Sequence, residues 1–139
     1  MEDVSSLAER ILDQIADAVI YADHTGTIQR WNQGAAALFG YSAAEALGQN
    51  LDLIIPKHLR TPHWRGFEAA MTSGVMKLEG HPTLTRATHK GGRKLYVEMT
   101  FALVKGDVEG SALGSVAVAR EATERVEAQR AAACRDNSK

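Results

Sequence analysis

Residues 18–41 read AVIYADHTGTIQRWNQGAAALFGY, and this stretch decides the fold. Ala18 to Asp23 is rich in β-branched and aromatic residues, and Thr27 to Trp31 returns with the same character after a His-Thr-Gly turn. Asn32 is well placed to cap a helix that stops at Gly40. The stretch therefore predicts a β-hairpin followed at once by a helix.

Further helices are predicted on both sides of this stretch. Ser6 to Glu9 has the form of a capping box and opens a helix whose apolar face lies at helical spacing. That face consists of Leu7, Ile11, Leu12 and Ile15. Ser42 to Glu45 is a second capping box, which opens a short helix ending at Gly48. A longer helix is expected from about residue 63 to residue 72.

Three extended segments and a last helix complete the pattern. Residues 75–88 form the first segment, and a Gly-Gly turn at 91–92 leads into the second. The second alternates apolar with polar or small residues, through Leu95, Val97, Met99, Phe101 and Leu103. Leu113, Val116 and Val118 mark the third segment, and residues 121–133 form a terminal helix. Strands at both ends with helices between them predict an α+β fold, in which short helices cover one face of an antiparallel sheet.

Composition narrows the classes of function. The 139 residues suffice for one domain, and a net charge of −1 gives no reason to expect nucleic acid or an anionic membrane as partner. No apolar run reaches the length of about 20 residues that crosses a bilayer. The single cysteine, Cys134, cannot form an internal disulfide, which favours a reducing, cytoplasmic location.

The predicted hairpin and its helix resemble the opening of PAS domains. The Glu-Ala-Leu-Gly-Gln-Asn run at 45–50, the Lys-Gly-Gly turn at 90–92 and the exit at 118–125 extend the resemblance over residues 7–127. The resemblance implies a PAS fold with a five-stranded antiparallel sheet. It also implies an N-terminal flanking helix at 1–16, a sensor domain at 17–120 and a C-terminal signalling helix and tail at 121–139.

A narrower resemblance lies in the middle of the chain. Leu59-Arg60-Thr61-Pro62-His63, with Leu78-Glu79-Gly80-His81 ending eighteen residues after His63, is similar to the haem-binding PAS domains of bacterial oxygen sensors. These occur in a rhizobial oxygen-sensing histidine kinase and in a haem-regulated phosphodiesterase. The resemblance implies that His63 is the proximal iron ligand of haem b.

Two departures from that group concern the other side of the haem. His81 stands where the phosphodiesterase has a displaceable methionine, which implies a bis-histidine haem. Thr83 stands where that relative has an arginine that steadies bound oxygen, so O2, CO, NO and a redox signal stay open. Met76 and Met99 are rivals of His81 as sixth ligand, since a thioether also binds haem iron. For Met99, packing in the core is the stronger reading.

The remaining site residues are assigned by their predicted places. The side chains expected to line a haem slot between helices and sheet are Ile54, Ile55, Phe67, Leu84, Val97, Met99 and Phe101. Arg60 and Arg65 are candidates to pair with the haem propionates, and a solvated helix surface is the alternative for both. His63 has an alternative too, as a partly exposed helix residue of a haem-free domain, and His81 as an exposed loop residue.

The leading hypothesis is therefore a sensory domain of a bacterial signalling protein that binds haem and responds to a diatomic gas or to redox state. A homodimer through the flanking helices is expected, and catalysis by the domain itself is not, because no phosphate-binding glycine loop or nucleophile elbow occurs. The alternative is a haem-free PAS module for dimerisation and interaction, which could bind another small ligand.

Overall fold

The structure is a computed structural model that describes residues 4–76, 80–107 and 112–137. Five α-helices, one 3₁₀ helix and five strands are defined in this part of the chain. In chain order they are α1 (Val4–Gln14), β1 (Ala18–Asp23), β2 (Ile28–Trp31), α2 (Gln33–Phe39), α3 (Ala43–Ala46), the 3₁₀ helix (Leu51–Leu53), α4 (Lys57–Ser73), β3 (Thr83–Thr88), β4 (Lys94–Lys105), β5 (Ala112–Glu121) and α5 (Thr123–Asn137).

The five strands form one antiparallel sheet in the order β2-β1-β5-β4-β3. The predicted α+β fold with a five-stranded antiparallel sheet is confirmed. Because β1 and β5 pair at the centre, the first and last strands of the sheet hold each other in register, with Ala18 opposite Ala119. The chain therefore closes its sheet only when the last strand has joined.

The predicted hairpin and its helix cap are both present. The turn after β1 is held by Asp23, whose carboxylate accepts hydrogen bonds from the backbone N–H groups of Thr25 and Thr27. Bonding by the Thr25 hydroxyl in particular lowers the pKa of Asp23 to about 2. Asn32 caps α2 by accepting from the N–H of Ala35, and Gly40 ends α2 in the left-handed conformation that glycine adopts without strain.

Helices α2 and α3 and residues 51–55 cover one face of the sheet. The buried side chains between these layers form the main core: Ala18, Ile20, Ile28, Trp31, Ala35, Leu38, Phe39, Ala46, Ile54, Ala87, Leu95, Val97, Met99 and Ala119. The predicted alternation of β4 is confirmed, because Leu95, Val97 and Met99 are buried on this face while Tyr96 and Glu98 point to the other. A smaller core joins α4 to the sheet, where Ala70 and Met71 pack with Leu103 and Ala112.

The flanking helices differ from the sequence expectation in detail. Helix α1 already includes Val4, so Ser6 lies within the helix and not at its cap.

The first extended segment becomes a strand only from Thr83, and residues 77–79 lie outside the described part of the chain. None of the described helices combines the length and apolar character that crossing a bilayer requires.

Candidate functional site

Helix α4 begins six residues earlier than its sequence indicates. Proline is favoured in the first turn of a helix, so the sequence predicts that the helix starts close to Pro62. In the structure, Pro62 lies inside α4. His63 is therefore in the second turn and not at the helix start. The side chains of α4 that are buried or half-buried repeat every three or four residues: Leu59, Arg60, His63, Trp64, Phe67, Ala70 and Met71. His63 thus belongs to the inner face of α4.

The imidazole of His63 is half-buried among aromatic rings. It stacks on Phe67, with ring centroids 5.9 Å apart and planes inclined by 29°, and it meets the edge of Trp64 at 4.7 Å. Its Nδ1 atom is buried and has no hydrogen-bond partner in the described part of the chain. Burial lowers the pKa of His63, and the negative charge of Asp52 opposes that effect. The ring is therefore held neutral at neutral pH, which is the form that binds a metal ion.

A buried ring nitrogen without a partner is costly, at about 1–3 kcal/mol. Such a group is commonly satisfied by an ordered water, an ion or a ligand. The donor chemistry of His63 fits haem iron, which takes an imidazole from a rigid helix. Of the described residues, no group of three or more histidine, cysteine, aspartate or glutamate side chains is placed to hold a bare metal ion.

The residues expected to line the haem slot fall into three groups. Ile54, Val97 and Met99 are buried in the main core, and Ile55 and Phe101 pack against it. Phe67 belongs instead to the smaller core beside Met71 and Leu103.

Leu84 was expected to line the slot, and the structure corrects this. It lies opposite Glu98 in the register of β3 and β4, and its side chain is 48% exposed on the face away from the core. The inward positions of β3 are Thr83, opposite Met99, Thr85, opposite Val97, and Ala87, which is buried opposite Leu95. This strand therefore offers threonine and alanine side chains where a leucine was expected.

The apolar residues that fit a porphyrin are packed against one another. Ile54 is only 5% exposed and Met99 only 8%, so the space between residues 51–55 and β4 is filled by the protein itself. A flat ligand entering there has to separate these side chains. The residues present therefore match haem in chemistry and require a local opening to admit it.

The two arginines near His63 are placed differently from each other. Arg60 donates hydrogen bonds to the backbone carbonyls of Ile55, at 3.0 Å, and Asp52, at 3.1 Å. Its guanidinium thus ties α4 to the preceding segment, and its pairing with a haem propionate stays a prediction. Arg65 is exposed, two positions beyond His63 and so near the opposite face of the helix.

His81 lies on the segment that leads into β3, and its side chain is exposed. The backbone N–H of Gly80 donates to the carbonyl of Phe101 at 3.3 Å, which places this segment beside β4. Of the rival ligands, Met99 is a core residue opposite Ala119, and Met76 is half-buried against the smaller core. Leu78 and Glu79 of the motif lie outside the described residues.

Two residues at the site were not identified from the sequence. Trp64 is half-buried and donates from its indole nitrogen to Asp52 Oδ1 at 2.7 Å. Its spacing with Arg60 and Phe67 on one helix face was a usable signal. Asp52 carried no comparable signal, because nothing local connects it to a side chain twelve positions later. An open groove of about 660 Å³ lies beside Trp64 and Phe67, between α4, the β1–β2 turn and β5.

Comparison with known proteins agrees with this architecture. A PAS domain family model matches residues 16–124. The chain is 28% identical over 99 residues to the oxygen sensor protein DosP of Escherichia coli K12. The aligned stretch covers 71% of this chain and 12% of DosP. It is 43% identical over 53 residues to the sensor protein FixL of Bradyrhizobium diazoefficiens. That aligned stretch covers 38% of this chain and 10% of FixL. This chain thus corresponds to a small part of either relative.

Among solved structures, the PAS domain of a protein from Colwellia psychrerythraea superposes with a TM-score of 0.74 at 22% identity. The match covers 88% of this chain and 99% of that one. At this identity the likeness shows the fold alone.

Proposed function

The chain belongs to the PAS domain family, and on that premise we propose that this sensory domain binds haem b, with His63 as the protein ligand of the iron. The observation that carries the proposal is the buried Nδ1 of a half-buried imidazole on the inner face of α4, which has no hydrogen-bond partner among the residues that the structure describes. The similarity to a protein named an oxygen sensor supports it. Haem would supply an iron centre that responds to a diatomic gas such as O2, CO or NO, or to a change of oxidation state.

His63 provides what this role requires of a side chain. Burial keeps the imidazole neutral, and the contacts with Trp64 and Phe67 limit rotation of the ring. Ile54, Val97 and Met99 belong to the main core, and with haem bound these apolar side chains would exclude water from the porphyrin.

We propose His81 as the displaceable second ligand. Its exposed position requires the segment at Gly80 to turn inward, and the bond from Gly80 to Phe101 shows how near that segment already runs to β4. His81 would exchange between an inward position and the outward one. A signal would shift this equilibrium only if the signalling ligand binds the two states with different affinity.

The signal would leave the domain through α5 and not through catalysis. Thr123 Oγ1 accepts a hydrogen bond from the N–H of Tyr96 at 3.0 Å, and Arg130 lies 4.9 Å from the ring of Tyr96. Arg125 is paired with Glu98 at 3.2 Å. On β4, Val97 and Met99 face the core, whereas Tyr96 and Glu98 face the other side and contact α5. A displacement of β4 caused at its core face would therefore also displace the contacts with α5.

A visible absorption spectrum after reconstitution with haem b tests the proposal. The wild type is expected to show a Soret band, His63→Ala is expected to lose most of its haem, and His81→Ala is expected to retain haem with a changed spin state. His58→Ala is the matched control, since His58 is an exposed histidine on the same helix. A wild type without a Soret band overturns the proposal, and so does full haem uptake by His63→Ala.

A second function is favoured by a separate observation on α1. Leu7 and Ile11 of α1 are 55% and 56% exposed, and Ile15, just after the helix, is 40% exposed, so the three form an apolar stripe on the surface. We propose that two copies of the domain pair through this stripe, as a dimerisation module that does not depend on haem. Ile11→Glu is expected to convert the dimer into a monomer by light scattering, whereas truncation after Arg120, which removes α5, is expected to leave the dimer intact. A wild type that stays monomeric over a 100-fold range of protein concentration contradicts this proposal.

A further inference from the structure

Helix α4 is weak at the position from which His63 projects. Pro62 has no N–H and cannot donate to the carbonyl of His58, so one bond of the helix is missing one residue before His63. The N-cap, Pro56, forms no side-chain hydrogen bond with the helix. The first two turns are therefore poorly fixed by the helix itself, and contacts from outside must hold them.

Those contacts converge on Asp52 in the 3₁₀ helix. The indole N–H of Trp64 donates to Asp52 Oδ1 at 2.7 Å, and Arg60 Nε lies 3.8 Å from the same oxygen. Arg60 also donates to the backbone carbonyl of Asp52 at 3.1 Å. Arg60 and Trp64 are four residues apart, so the two side chains that reach Asp52 bracket Pro62 and His63.

The indole of Trp64 is held on its other side by the turn between β1 and β2. A Cβ atom at Gly26 would lie 2.3 Å from Cη2 of Trp64, which shows how closely the ring covers this glycine. The same indole meets the imidazole of His63, with ring centroids 4.7 Å apart and planes at 82°. A side chain fixed by Asp52 therefore touches His63 itself.

We propose that Asp52 is the positioning residue of His63 and fixes, through Trp64 and Arg60, the part of α4 that carries the imidazole. The consequence for haem rests on the function proposed above, whereas the anchoring of α4 is a property of the protein without ligand. The backbone of the 3₁₀ helix keeps its own cap when the Asp52 side chain is changed, because Asn50 Oδ1 accepts from the N–H of Asp52 at 2.8 Å.

Hydrogen exchange of the haem-free full chain, followed by mass spectrometry, tests the anchoring. Asp52→Ala is expected to raise exchange of the amides at 59–67 about tenfold or more, while β4 and β5 stay protected. Trp64→Phe keeps an aromatic ring against His63 but loses the N–H, and a smaller increase is expected. Asp107→Ala is the matched control, since Asp107 is exposed in the loop after β4. If Asp52→Ala does not fold, Asp52→Asn replaces it and is expected to show an increase through loss of the charge facing Arg60.

The second measurement is the rate of haem loss from the reconstituted protein to excess apomyoglobin. Asp52→Ala is expected to lose haem about tenfold faster than wild type and than Asp107→Ala. Unchanged exchange at 59–67 overturns the proposal, and so does raised exchange with an unchanged rate of haem loss. If the wild type takes up no haem, the proposed function fails, and the exchange measurement alone decides whether Asp52 anchors α4.

Discussion

Replacing Asn32 by alanine is expected to destabilise the domain by about 3 kcal/mol, since this one buried side chain satisfies five backbone groups. Its Oδ1 accepts from the N–H of Val19 at 2.8 Å and from the N–H of Ala35 at 2.9 Å. Its Nδ2 faces the carbonyls of Leu12, Ile15 and Asp17 at 2.9, 3.2 and 3.0 Å. Asn32 therefore joins α1, β1 and α2.

The magnitude follows from these bonds taken one by one. Loss of the α2 cap costs about 1 kcal/mol, and a buried N–H left unpaired at Val19 costs about 1–3 kcal/mol. Release of the three carbonyls adds less, about 0.5–1 kcal/mol, because their bonds to Asn32 are only part-buried and water can replace them. A loss of about 2.5–5 kcal/mol is a large share of the stability of a small domain.

Urea denaturation followed by far-ultraviolet circular dichroism measures the change. Asn50→Ala is the matched control, because Asn50 makes a single exposed capping bond to the N–H of Asp52 and its loss is expected to cost only about 1 kcal/mol. Asn32→Asp keeps the two acceptor bonds and places a carboxylate oxygen against the three carbonyls, so detachment of α1 is expected with the sheet intact. A cost for Asn32→Ala no greater than that for Asn50→Ala would refute the reasoning.

Three further predictions concern strain and pH. Gly26→Ala is expected to be more destabilising than Gly48→Ala in thermal unfolding. The backbone strain is the same, because φ is +84° and +85° at the two sites, but only Gly26 lies under Trp64. Equal losses of stability in the two variants would contradict this packing. Asp23 favours its charged form in the folded state, so stability is lost as pH falls from 3.8 towards 2, and Asp23→Asn is expected to flatten that part of the acid unfolding curve. Burial lowers the pKa of His63 below 6.5, so the unfolded chain binds more protons there and stability falls as pH drops below about 6.5; an unchanged slope in His63→Gln contradicts this.

The features that the sequence predicted correctly depend on neighbours a few residues apart. The hairpin at 18–31, the cap at Asn32 and the alternation of β4 were all read from such short-range patterns, and the structure contains each of them. A capping bond spans three residues and a strand alternates every two, so a single sequence carries the whole signal.

Other features were decided only when distant segments met. Leu84 could not be assigned to a face, because β3 reads Thr-Leu-Thr-Arg-Ala-Thr without a clear alternation, and the pairing with β4 fixed which side is buried. Helix α4 continues through Pro62, and on either side of it Arg60 and Trp64 are hydrogen-bonded to Asp52, which no local pattern predicts. The sequence determined which elements form and what their surfaces offer, and the tertiary structure determined which side chains surround His63. The reason is that register and helix packing are set by contacts between residues far apart in the chain.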